Sequence, residues 1–235
     1  MRSPTLAVLV PVLNRPANVE PLVTSFLTGC FDNARLIFIS EVGDIEEREA
    51  ISRIANFTRI TEVSSLDAHT WPEKTNLGVE CITADWYLFG ADDIRFTPGW
   101  WEATEQLRNN PAISVIGTND QQLDGSGGNP RVQVEQLVIH PLVRATYIRD
   151  HGTIDQPGVA VHPGYSHWCC DDELLWTAKL RGAYAYCPEA HIPHMHPYFG
   201  AGEMDDVYRA GEANSEADMA LWADRAVRLL GLQIQ

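Results

Sequence analysis

The sequence has little positive charge and no long hydrophobic run. Among its 235 residues, 17 Lys and Arg are outnumbered by 32 Asp and Glu, which gives a net charge of −15. Nucleic acid and anionic membranes bind basic surfaces, so this balance disfavours both as general partners and leaves only a local basic groove open. No apolar stretch approaches the ~18 residues typical of a transmembrane helix, and no small-residue cleavage site follows the N-terminal apolar stretch. We therefore expect a soluble cytoplasmic protein that is not exported.

Repeats, low-complexity tracts and a paired set of cysteines are also missing. An odd number of cysteines in a chain long enough to bury a core argues against a disulfide scaffold and for a reducing compartment. The five are Cys30, Cys81, Cys169, Cys170 and Cys187. The apolar content of 45% is ordinary for a globular protein. The length fits one large α/β domain or one domain with an appendage.

Short apolar runs alternate with helical stretches in the first half of the chain. Such runs are typical of buried parallel strands, and we expect strands at 6–12, 36–39, 59–63, 86–89 and 113–116. Between them we expect helices from Pro16 to Gly29, from a capping box at Asp44 to Asn56, from Pro72 to Thr83, and from a Thr97 cap with Pro98 at the first position to Asn110. This alternation predicts a parallel α/β sheet over residues 1–117.

The second half has a different pattern. A Gly-rich loop covers 124–130, and we then expect a strand at 132–143 and little helix before Asp171. A helix at 172–181 and a strand at 184–187 follow. Residues 215–230 are amphipathic and predict a C-terminal helix that packs on the domain or on a second subunit.

Two adjacent carboxylates, Asp92 and Asp93, follow the strand expected at 86–89. Ligands of open α/β sheets bind at the carboxyl ends of strands. Neighbouring carboxylates repel each other, and Mg²⁺ or Mn²⁺ relieves that repulsion while it binds phosphate oxygens. A turn or a helix cap is the simpler alternative for this pair.

A second acidic group, Asp171-Asp172-Glu173, lies at the start of an expected helix. Carboxylates at this position interact favourably with the helix dipole. One of them could instead act as a general base if its surroundings set a suitable pKa. The residues by themselves leave both interpretations open.

Histidines and one lysine complete the candidate chemistry. His191, His194 and His196 lie in a proline-punctuated loop. They are compatible with surface positions, with one ligand of a carboxylate-bound metal, or with a zinc site that includes Cys187, although the spacing matches no standard zinc framework. Lys74 lies near a helix start that can face a phosphate, and an exposed surface position explains it equally well.

In their order along the chain, these motifs resemble family 2 glycosyltransferases over residues 5–197. Residues 8–16 resemble the family's nucleotide-binding turn, 74–78 its Arg/Lys-Asn-x-Gly helix, 88–93 its Asp-x-Asp strand end and 97–101 the Pro-Gly-Trp helix start. Residues 171–173, 180–184, 188–190 and His194 resemble the acceptor-side base helix, the Gly-Tyr turn and the terminal histidine.

The resemblance implies a GT-A fold, which is a Rossmann-like, mostly parallel α/β sheet flanked by helices, here with a C-terminal helical appendage. It also implies inverting, metal-dependent transfer of a sugar from a nucleoside diphosphate sugar to a hydroxyl acceptor. We expect Mn²⁺ or Mg²⁺ as cofactor and a UDP-sugar as first choice of donor. The GT-A domain is expected at 1–200, with a nucleotide-sugar half at 1–117 and an acceptor half at 118–200, before a helical extension at 201–235.

The resemblance further implies roles for particular residues. It makes Asp171 the general base, with Asp172 as second choice, and it assigns the metal to Asp92, Asp93 and His194. Contacts with the acceptor are expected from Tyr165 and Trp168. Contacts with the nucleotide sugar are expected from Pro11, Asn14, Arg15, Glu41, Lys74, Asn76, Gly78, Ala91 and Asp92.

The sequence departs from the family pattern in three of its motifs. Gly90 replaces the first Asp of Asp-x-Asp, and Cys170 replaces the Glu of the usual Glu-Asp pair. Ser40 and Glu41 stand where an Asp usually reads the base, so Glu41 or Asp44 would take that role. The departures keep open a non-catalytic protein that binds sugar nucleotides or glycans. A nucleotidyltransferase and a zinc-dependent hydrolase are further alternatives.

The partners follow from the same resemblance and are less defined. The acceptor is left open among a protein side chain, a glycan, a small molecule and, against the net charge, a modified base in nucleic acid. The lack of a membrane segment disfavours a membrane-embedded polymer synthase. Residues 120–170 are expected to set acceptor specificity, and the C-terminal helix is a candidate surface for a homodimer.

Overall fold

The computed structural model describes residues 4–54 and 58–231. Within these ranges seven strands form one sheet in the order β3-β2-β1-β4-β6-β5-β7. The strands are β1 (Leu6–Pro11), β2 (Ala34–Glu41), β3 (Ile60–Ser65), β4 (Trp86–Phe89), β5 (Val115–Asn119), β6 (Leu142–Arg144) and β7 (Tyr184–His191). The mostly parallel sheet flanked by helices confirms the predicted fold class.

Helices connect and flank these strands. They are α1 (Pro16–Gly29), α2 (Ile45–Ile54), α3 (Trp71–Cys81), α4 (Trp100–Ala103), α5 (Glu105–Asn109), α6 (Pro130–Gln133), α7 (Ala145–Asp150), α8 (Cys170–Leu180), α9 (Asp206–Ala213) and α10 (Ser215–Leu230). The end expected for α2 at Asn56 lies outside the described residues. Of the helices described, none is long and apolar enough to cross a membrane.

Strand β6 lies between β4 and β5 in the sheet, although it follows both of them in the sequence. β3, β2, β1 and β4 are parallel, whereas β6 pairs antiparallel with both β4 and β5, and β5 pairs parallel with β7. The expectation of a continuous parallel sheet over 1–117 is therefore wrong at β5, which β6 separates from β4. A local pattern cannot show this, because β6 comes from residues 142–144.

The core has two layers, one on each face of the sheet. Val8 and Val10 of β1 belong to the same buried cluster as Phe26 of α1, whereas Leu9 belongs to the cluster that includes Leu174 of α8. Side chains of a strand alternate between the two faces. Burial of both faces therefore explains why β1 is a continuous apolar run rather than an alternating one.

Two expectations for the second half are corrected. Most of the strand expected at 132–143 is not a strand, because Asn129 accepts a hydrogen bond from the Arg131 amide at 3.0 Å and caps α6, with Pro130 at its first position. Strand β6 begins only at Leu142 and covers 142–144. Helix α7 also forms where little helix was expected.

Helix α4 begins at Trp100 rather than at Pro98. Gly99 occupies the N-cap position with φ +88°, a left-handed conformation that favours glycine. The hydroxyl of Thr97 donates instead to the carbonyl oxygen of His191 at 2.7 Å, which ties this turn to β7. The predicted helix is also interrupted at Thr104, so α4 and α5 are separate.

Candidate active site

A cleft of about 480 Å³ opens at the carboxyl edge of the sheet, where open α/β sheets bind their ligands. We call the segments after β1 and β4, together with the start of α3, the sheet-edge wall. We call the loop at 165–169 and the start of α8 the α8 wall. Residues of α9 also line the cleft, so three parts of the chain that are distant in sequence meet around it.

The turn after β1 is held by two acidic side chains at the start of α2. Asn14 has φ +51°, a conformation that Asn tolerates better than most residues. Its amide donates to Asp44 Oδ2 and the Arg15 amide donates to Glu47 Oε2, each at 2.7 Å. The predicted capping box is thus only half formed: Asp44 Oδ1 accepts the Glu47 amide at 3.3 Å, but the Glu47 carboxylate binds Arg15. Burial raises the pKa of Glu47 to about 7.

Lys74 lies beneath this turn with only 2% of its surface exposed, so the alternative of an exposed lysine is wrong. Its Nζ donates to the carbonyl oxygen of Val12 at 2.9 Å and lies 3.0 Å from Glu41 Oε1. The Nδ1 atom of His69 contacts the same carboxylate at 3.2 Å. Partial burial opposes ionisation of Glu41, but Lys74 and His69 outweigh it and lower its pKa. Lys74 therefore joins α3 to the ends of β1 and β2.

Asp92 and Asp93 are buried at the end of β4, with 4% and 5% exposed. Nη1 of Arg15 lies 3.2 Å from Asp92 Oδ1 and 3.7 Å from Asp93 Oδ2. Nε2 of His194 lies 3.2 Å from Asp93 Oδ1, and the Tyr208 hydroxyl donates to Asp93 Oδ2. Burial and the charge of Asp93 raise the pKa of Asp92 to about 7. Burial opposes ionisation of Asp93 too, but its pKa is lowered because His194, Tyr208 and Arg15 stabilise the carboxylate.

Two buried histidines pack beside the acidic pair. The rings of His140 and His194 meet edge to face with centroids 4.8 Å apart. Burial, reinforced by His194, lowers the pKa of His140 to about 3, so this ring is neutral. Burial opposes protonation of His194, yet Asp93 raises its pKa. Cys187 does not line the cleft, and its thiol donates to the carbonyl oxygen of Ala103 at 3.5 Å, so the structure does not bring it to the histidines.

Asp171 and Asp172 begin α8 and differ in their surroundings. Arg131 donates to Oδ1 of Asp172, which is buried. Asp171 is half-buried and, within the described residues, forms no ion pair; its Oδ1 accepts the Asp172 amide at 3.0 Å. Burial and the adjacent charge of Asp172 raise the pKa of Asp171 to about 7. A carboxylate with this pKa can accept a proton near neutral pH.

The C-terminal helix shapes the loop of the α8 wall. Asp218 of α10, only 2% exposed, accepts the backbone amides of 166–168 at 2.7–2.8 Å. Cys169 then takes a left-handed φ of +63° and leads into α8. Trp168 lines the cleft, and its Nε1 donates to the carbonyl oxygen of Gly211 at 3.0 Å.

Tyr165 is the residue of this loop that departs from expectation. It is 1% exposed and does not line the cleft, so the predicted contact with an acceptor is not supported. Its hydroxyl donates to Glu173 Oε2 at 2.8 Å. Arg225 of α10 binds the same carboxylate, with Nε 2.6 Å from Oε2, and also pairs with Asp155 at 2.7 Å. Tyr165 therefore belongs to a buried polar network that joins α8 to α10.

Two residues predicted at the nucleotide site have packing roles instead. Oδ1 of Asn76 accepts the amides of 160–161 at 3.0 Å, and Nδ2 donates to the carbonyl oxygen of Val161 at 2.7 Å. A Cβ on Gly78 would lie 3.1 Å from the side chain of Leu9, so this glycine allows α3 to pack closely on β1. Neither Asn76 nor Gly78 lines the cleft.

The cleft brings together most of the other predicted residues. Asn14 and Glu41 do not line the cleft, but Asn14 directly precedes the lining residue Arg15, and Glu41 pairs with the lining residue Lys74. The predicted residues that line the cleft are Pro11, Arg15, Lys74, Ala91, Asp92, Asp93, Trp168, Asp171, Asp172 and His194.

Arg131, His140 and Tyr208 are among the polar residues of the cleft that were missed in the sequence. Arg131 follows an Asn-Pro helix start, a signal that could have replaced the strand predicted there. His140 lies just before β6 and Tyr208 lies in α9. No local pattern marks either one, because their position beside Asp93 and His194 depends on distant parts of the chain.

The donor atoms of Asp92, Asp93 and His194 fit a divalent cation in their chemistry, since Mn²⁺ and Mg²⁺ prefer carboxylate oxygens and imidazole suits transition metals. Nδ1 of His194 is also buried with no hydrogen-bond partner among the described residues. In this arrangement, however, no three His, Cys, Asp or Glu side chains of the described chain are already assembled as a metal site. Arg15 and Tyr208 engage the carboxylate oxygens instead.

The amino-acid sequence matches no family model. It is 29% identical over 112 residues to an uncharacterized glycosyltransferase of Haemophilus influenzae. That match covers 47% of this chain and 37% of the relative, so the chain spans well under half the length of the relative.

Solved structures share the fold at low sequence identity. A mannosyltransferase from Pyrobaculum calidifontis, solved with GDP-Man and Mn²⁺, superimposes with a TM-score of 0.69 at 12% identity over 96% of this chain and 65% of its own. Glucosyl-3-phosphoglycerate synthase from Mycobacterium tuberculosis, solved with Mn²⁺, UDP-glucose and phosphoglyceric acid, gives 0.63 at 16% identity over 99% and 82%.

S. aureus TarS in complex with UDP-GlcNAc gives a TM-score of 0.73 at 11% identity, over 97% of this chain and 68% of its own. The three neighbours share a mostly parallel sheet flanked by helices with this protein. The chain therefore has the GT-A fold that is found in nucleotide-sugar glycosyltransferases.

Proposed function

We propose that this protein transfers a sugar from a nucleoside diphosphate sugar, with UDP as the nucleotide, to a hydroxyl acceptor in an inverting, metal-dependent reaction. One observation carries the proposal. A buried acidic pair at the end of β4 shares a single cleft with Asp171, a half-buried carboxylate whose pKa burial and Asp172 raise to about 7. The GT-A fold supports the same activity, since the neighbours with this fold are solved with GDP-Man, UDP-glucose and UDP-GlcNAc.

The sheet-edge wall binds the nucleotide diphosphate in this proposal. Pro11 and the turn after β1 line the nucleotide end, and Lys74 supports them from beneath through the carbonyl oxygen of Val12. Arg15 supplies positive charge for the diphosphate. Asp92, Asp93 and His194 would hold Mn²⁺ or Mg²⁺, which neutralises negative charge on the leaving diphosphate. The electrostatic role of Arg15 and the cation is the type of stabilisation that phosphate leaving groups require.

Asp171 acts as the general base on the α8 wall. It accepts the proton of the acceptor hydroxyl while that oxygen forms a bond to the anomeric carbon from the face opposite the diphosphate. The bond from the anomeric carbon to the phosphate oxygen breaks, and the nucleoside diphosphate leaves with the electron pair. Asp172 is the weaker candidate because Arg131 already pairs with it. Attack from the opposite face inverts the anomeric configuration.

The remaining expectations belong to this proposal as well. Trp168 offers an apolar surface for the acceptor in the cleft. Residues 1–117 serve the donor and 118–200 the acceptor, while 201–235 form a helical extension. In the described part of that extension, α10 packs on α8 within the same chain. A homodimer through the C-terminal helix would use the face of α10 that α8 leaves free.

A non-catalytic protein that binds sugar nucleotides is the second candidate. It is favoured by the environment of Gly90, where a Cβ would lie 3.2 Å from Ile94 and 3.3 Å from the carbonyl oxygen of Leu9. An aspartate at this position would not fit without movement, so only the second half of the acidic motif is present. Such a protein would bind the donor and show no turnover with any acceptor.

Melting curves with nucleoside diphosphates and their sugars, recorded with Mn²⁺ and again with EDTA, test the proposal. A ligand at ~100 times its Kd adds ~2.7 kcal/mol and raises the midpoint by roughly 5–10 °C for a protein of this size. We expect a shift with UDP and Mn²⁺ that EDTA and Asp92→Ala both remove. No shift with any nucleotide would contradict donor binding, and release of pyrophosphate instead of UDP during turnover would indicate a nucleotidyltransferase.

A further inference from the structure

The guanidinium of Arg15 lies on the acidic pair, where the proposed function requires a metal ion. Its Nη1 is 3.2 Å from Asp92 Oδ1 and 3.7 Å from Asp93 Oδ2. The side chains of Arg15, Asp92 and Asp93 are only 11%, 6% and 7% exposed, so water screens these charges weakly. A divalent cation on the same carboxylates would meet the positive charge of Arg15 at close range and with little screening.

A second segment of the chain keeps Arg15 in that position. We call residues 205–214 the α9 arm. Asp205 holds the other edge of the guanidinium, with Oδ2 2.8 Å from Nε and Oδ1 accepting from Nη2 at 3.0 Å. The ring of Tyr208 lies 4.0 Å below the guanidinium, and its hydroxyl donates to Asp93. Arg15 is therefore bound between the acidic pair and the arm.

The carboxylate oxygens that face this region are largely taken up by these contacts. Asp92 Oδ1 binds Arg15, and Asp93 Oδ2 binds Tyr208. Asp93 Oδ1 faces Nε2 of His194. Arg15 and Tyr208 therefore compete with a cation for two of the four carboxylate oxygens. A cation that binds Asp92 Oδ1 and Asp93 Oδ2 must displace Nη1 of Arg15 and the Tyr208 hydroxyl.

We propose that Arg15 and the α9 arm occupy the metal position in the ligand-free protein and exchange with the metal–nucleotide complex. The inference rests on the proposed function. The incoming cation displaces Arg15 and Tyr208 from the acidic pair, and the freed guanidinium then binds the diphosphate. Both events move the guanidinium away from the cation and so relieve the repulsion between these two positive charges. The metal and the nucleotide therefore favour each other's binding. The arm thus sets how tightly the cleft binds a metal without nucleotide.

Tyr208→Phe and Asp205→Asn test the exchange, because each removes one contact that holds the arm in place. Phe keeps the ring under Arg15, and Asn can still cap α9, where Asp205 Oδ1 accepts the Tyr208 amide at 2.9 Å. We expect the Kd of Mn²⁺ alone, measured by electron paramagnetic resonance, to fall about three- to tenfold in both variants. The Kd values of UDP and of GDP in the presence of Mn²⁺, measured by calorimetry, should fall by a similar factor. The matched control is Asp206→Asn, whose carboxylate is 98% exposed and, in the described part of the chain, pairs with Arg209 alone.

Arg15→Met tests both contacts proposed for Arg15, the one with the acidic pair before the metal binds and the one with the diphosphate afterwards. It should tighten Mn²⁺ alone, because the competing guanidinium is gone, and weaken UDP at saturating Mn²⁺, because the diphosphate loses a ligand. Weaker binding of both would show that Arg15 never competes with the metal and would overturn the exchange. Melting temperatures close to that of the wild type in all variants exclude unfolding as the cause.

The exchange and the proposed function fail in different ways. If the wild type binds Mn²⁺ and a nucleotide but Tyr208→Phe and Asp205→Asn leave both Kd values unchanged or raise them, the exchange is wrong and the proposed function stands. If neither the wild type nor any variant binds Mn²⁺ or a nucleoside diphosphate, both are wrong. Tighter binding of Mn²⁺ alone by the two variants supports the exchange whichever nucleotide the cleft selects.

Discussion

The sheet-edge wall and the α8 wall are stabilised by different parts of the chain. The segments after β1 and β4 continue directly from buried strands, and α3 begins with a capping box between Thr70 and Glu73, three residues apart. The α8 wall depends on α10: Asp218 lies 50 residues from Trp168, and Arg225 lies 52 residues from Glu173. Elements of the first half therefore build the first wall, in which Lys74 reaches Val12 across 62 residues, whereas the second wall depends on the C-terminal helix.

The difference between the two walls indicates which side of the proposed site, donor or acceptor, is more sensitive to changes in sequence. A donor site that rests on the strands of the sheet keeps its geometry while loops change. The α8 wall carries both Asp171 and Trp168 on a loop that one carboxylate of α10 holds by three hydrogen bonds. Changes in α10 should therefore affect the acceptor side first.

The largest expected effect is on turnover, and it distinguishes the catalytic role proposed for the α8 wall from the donor-binding role proposed for the sheet-edge wall. Asp171→Asn removes the proposed base and should lower kcat by ~10²–10⁴, while the Kd of the donor stays nearly unchanged because the sheet-edge wall is intact. Turnover is measured as release of the nucleoside diphosphate, and donor binding by calorimetry. Wild-type turnover in this variant would rule out Asp171 as the base.

The next largest effect is on stability, and it is expected when the contact between α10 and the α8 wall is broken. Arg225→Met leaves Glu173 buried without its cation and should lower the free energy of unfolding by about 3–5 kcal/mol. The matched control on the same helix is Arg228→Met, which removes an exposed pair with Asp224 and should cost less than about 1 kcal/mol. Urea unfolding measures both. Equal losses in the two variants would mean that the buried network does not stabilise this wall.

The pH dependence of kcat/KM tests the environment of Asp171. Its pKa is raised to about 7 by burial and by the charge of Asp172, and the base must be ionised to accept a proton. Activity should therefore rise about tenfold per pH unit up to pH ~7 and then level off. Asp172→Asn removes the neighbouring charge and should move this midpoint to lower pH. A midpoint that does not respond to Asp172→Asn would assign the titration to another group.

The smallest effect concerns the local construction of the sheet-edge wall. Thr70→Ala removes the side chain that accepts the Glu73 amide at 3.3 Å and should cost about 1 kcal/mol, or roughly 2–4 °C in melting temperature. Thr83→Ala, at an exposed loop position after α3, is the control. A loss as large as that of Arg225→Met would contradict the interpretation of this cap as a local contact of the helix start.

Much of the sheet-edge wall was predictable from the sequence. Strand β4 was predicted with its observed bounds, and the acidic pair was correctly placed just after it. The roles of Asn76, Gly78 and Tyr165 were not predictable, since a motif shows that a residue is near a site but not which way its side chain points. Asn76 faces the backbone of 160–161, and Tyr165 faces Glu173, because those partners need hydrogen bonds in the core.

The order of residues along the chain already specifies the alternation of strands and helices, and it places the acidic residues at strand and helix ends. It could do so because burial of both faces of a parallel strand requires a continuous apolar run, and that run ends where the polar residues begin. The packing of the whole chain, by contrast, places β6 between β4 and β5, brings α10 to the α8 wall, and brings Arg15 to Asp205. The last two residues are 190 positions apart, and a contact of that range depends on how the whole chain packs rather than on any local pattern.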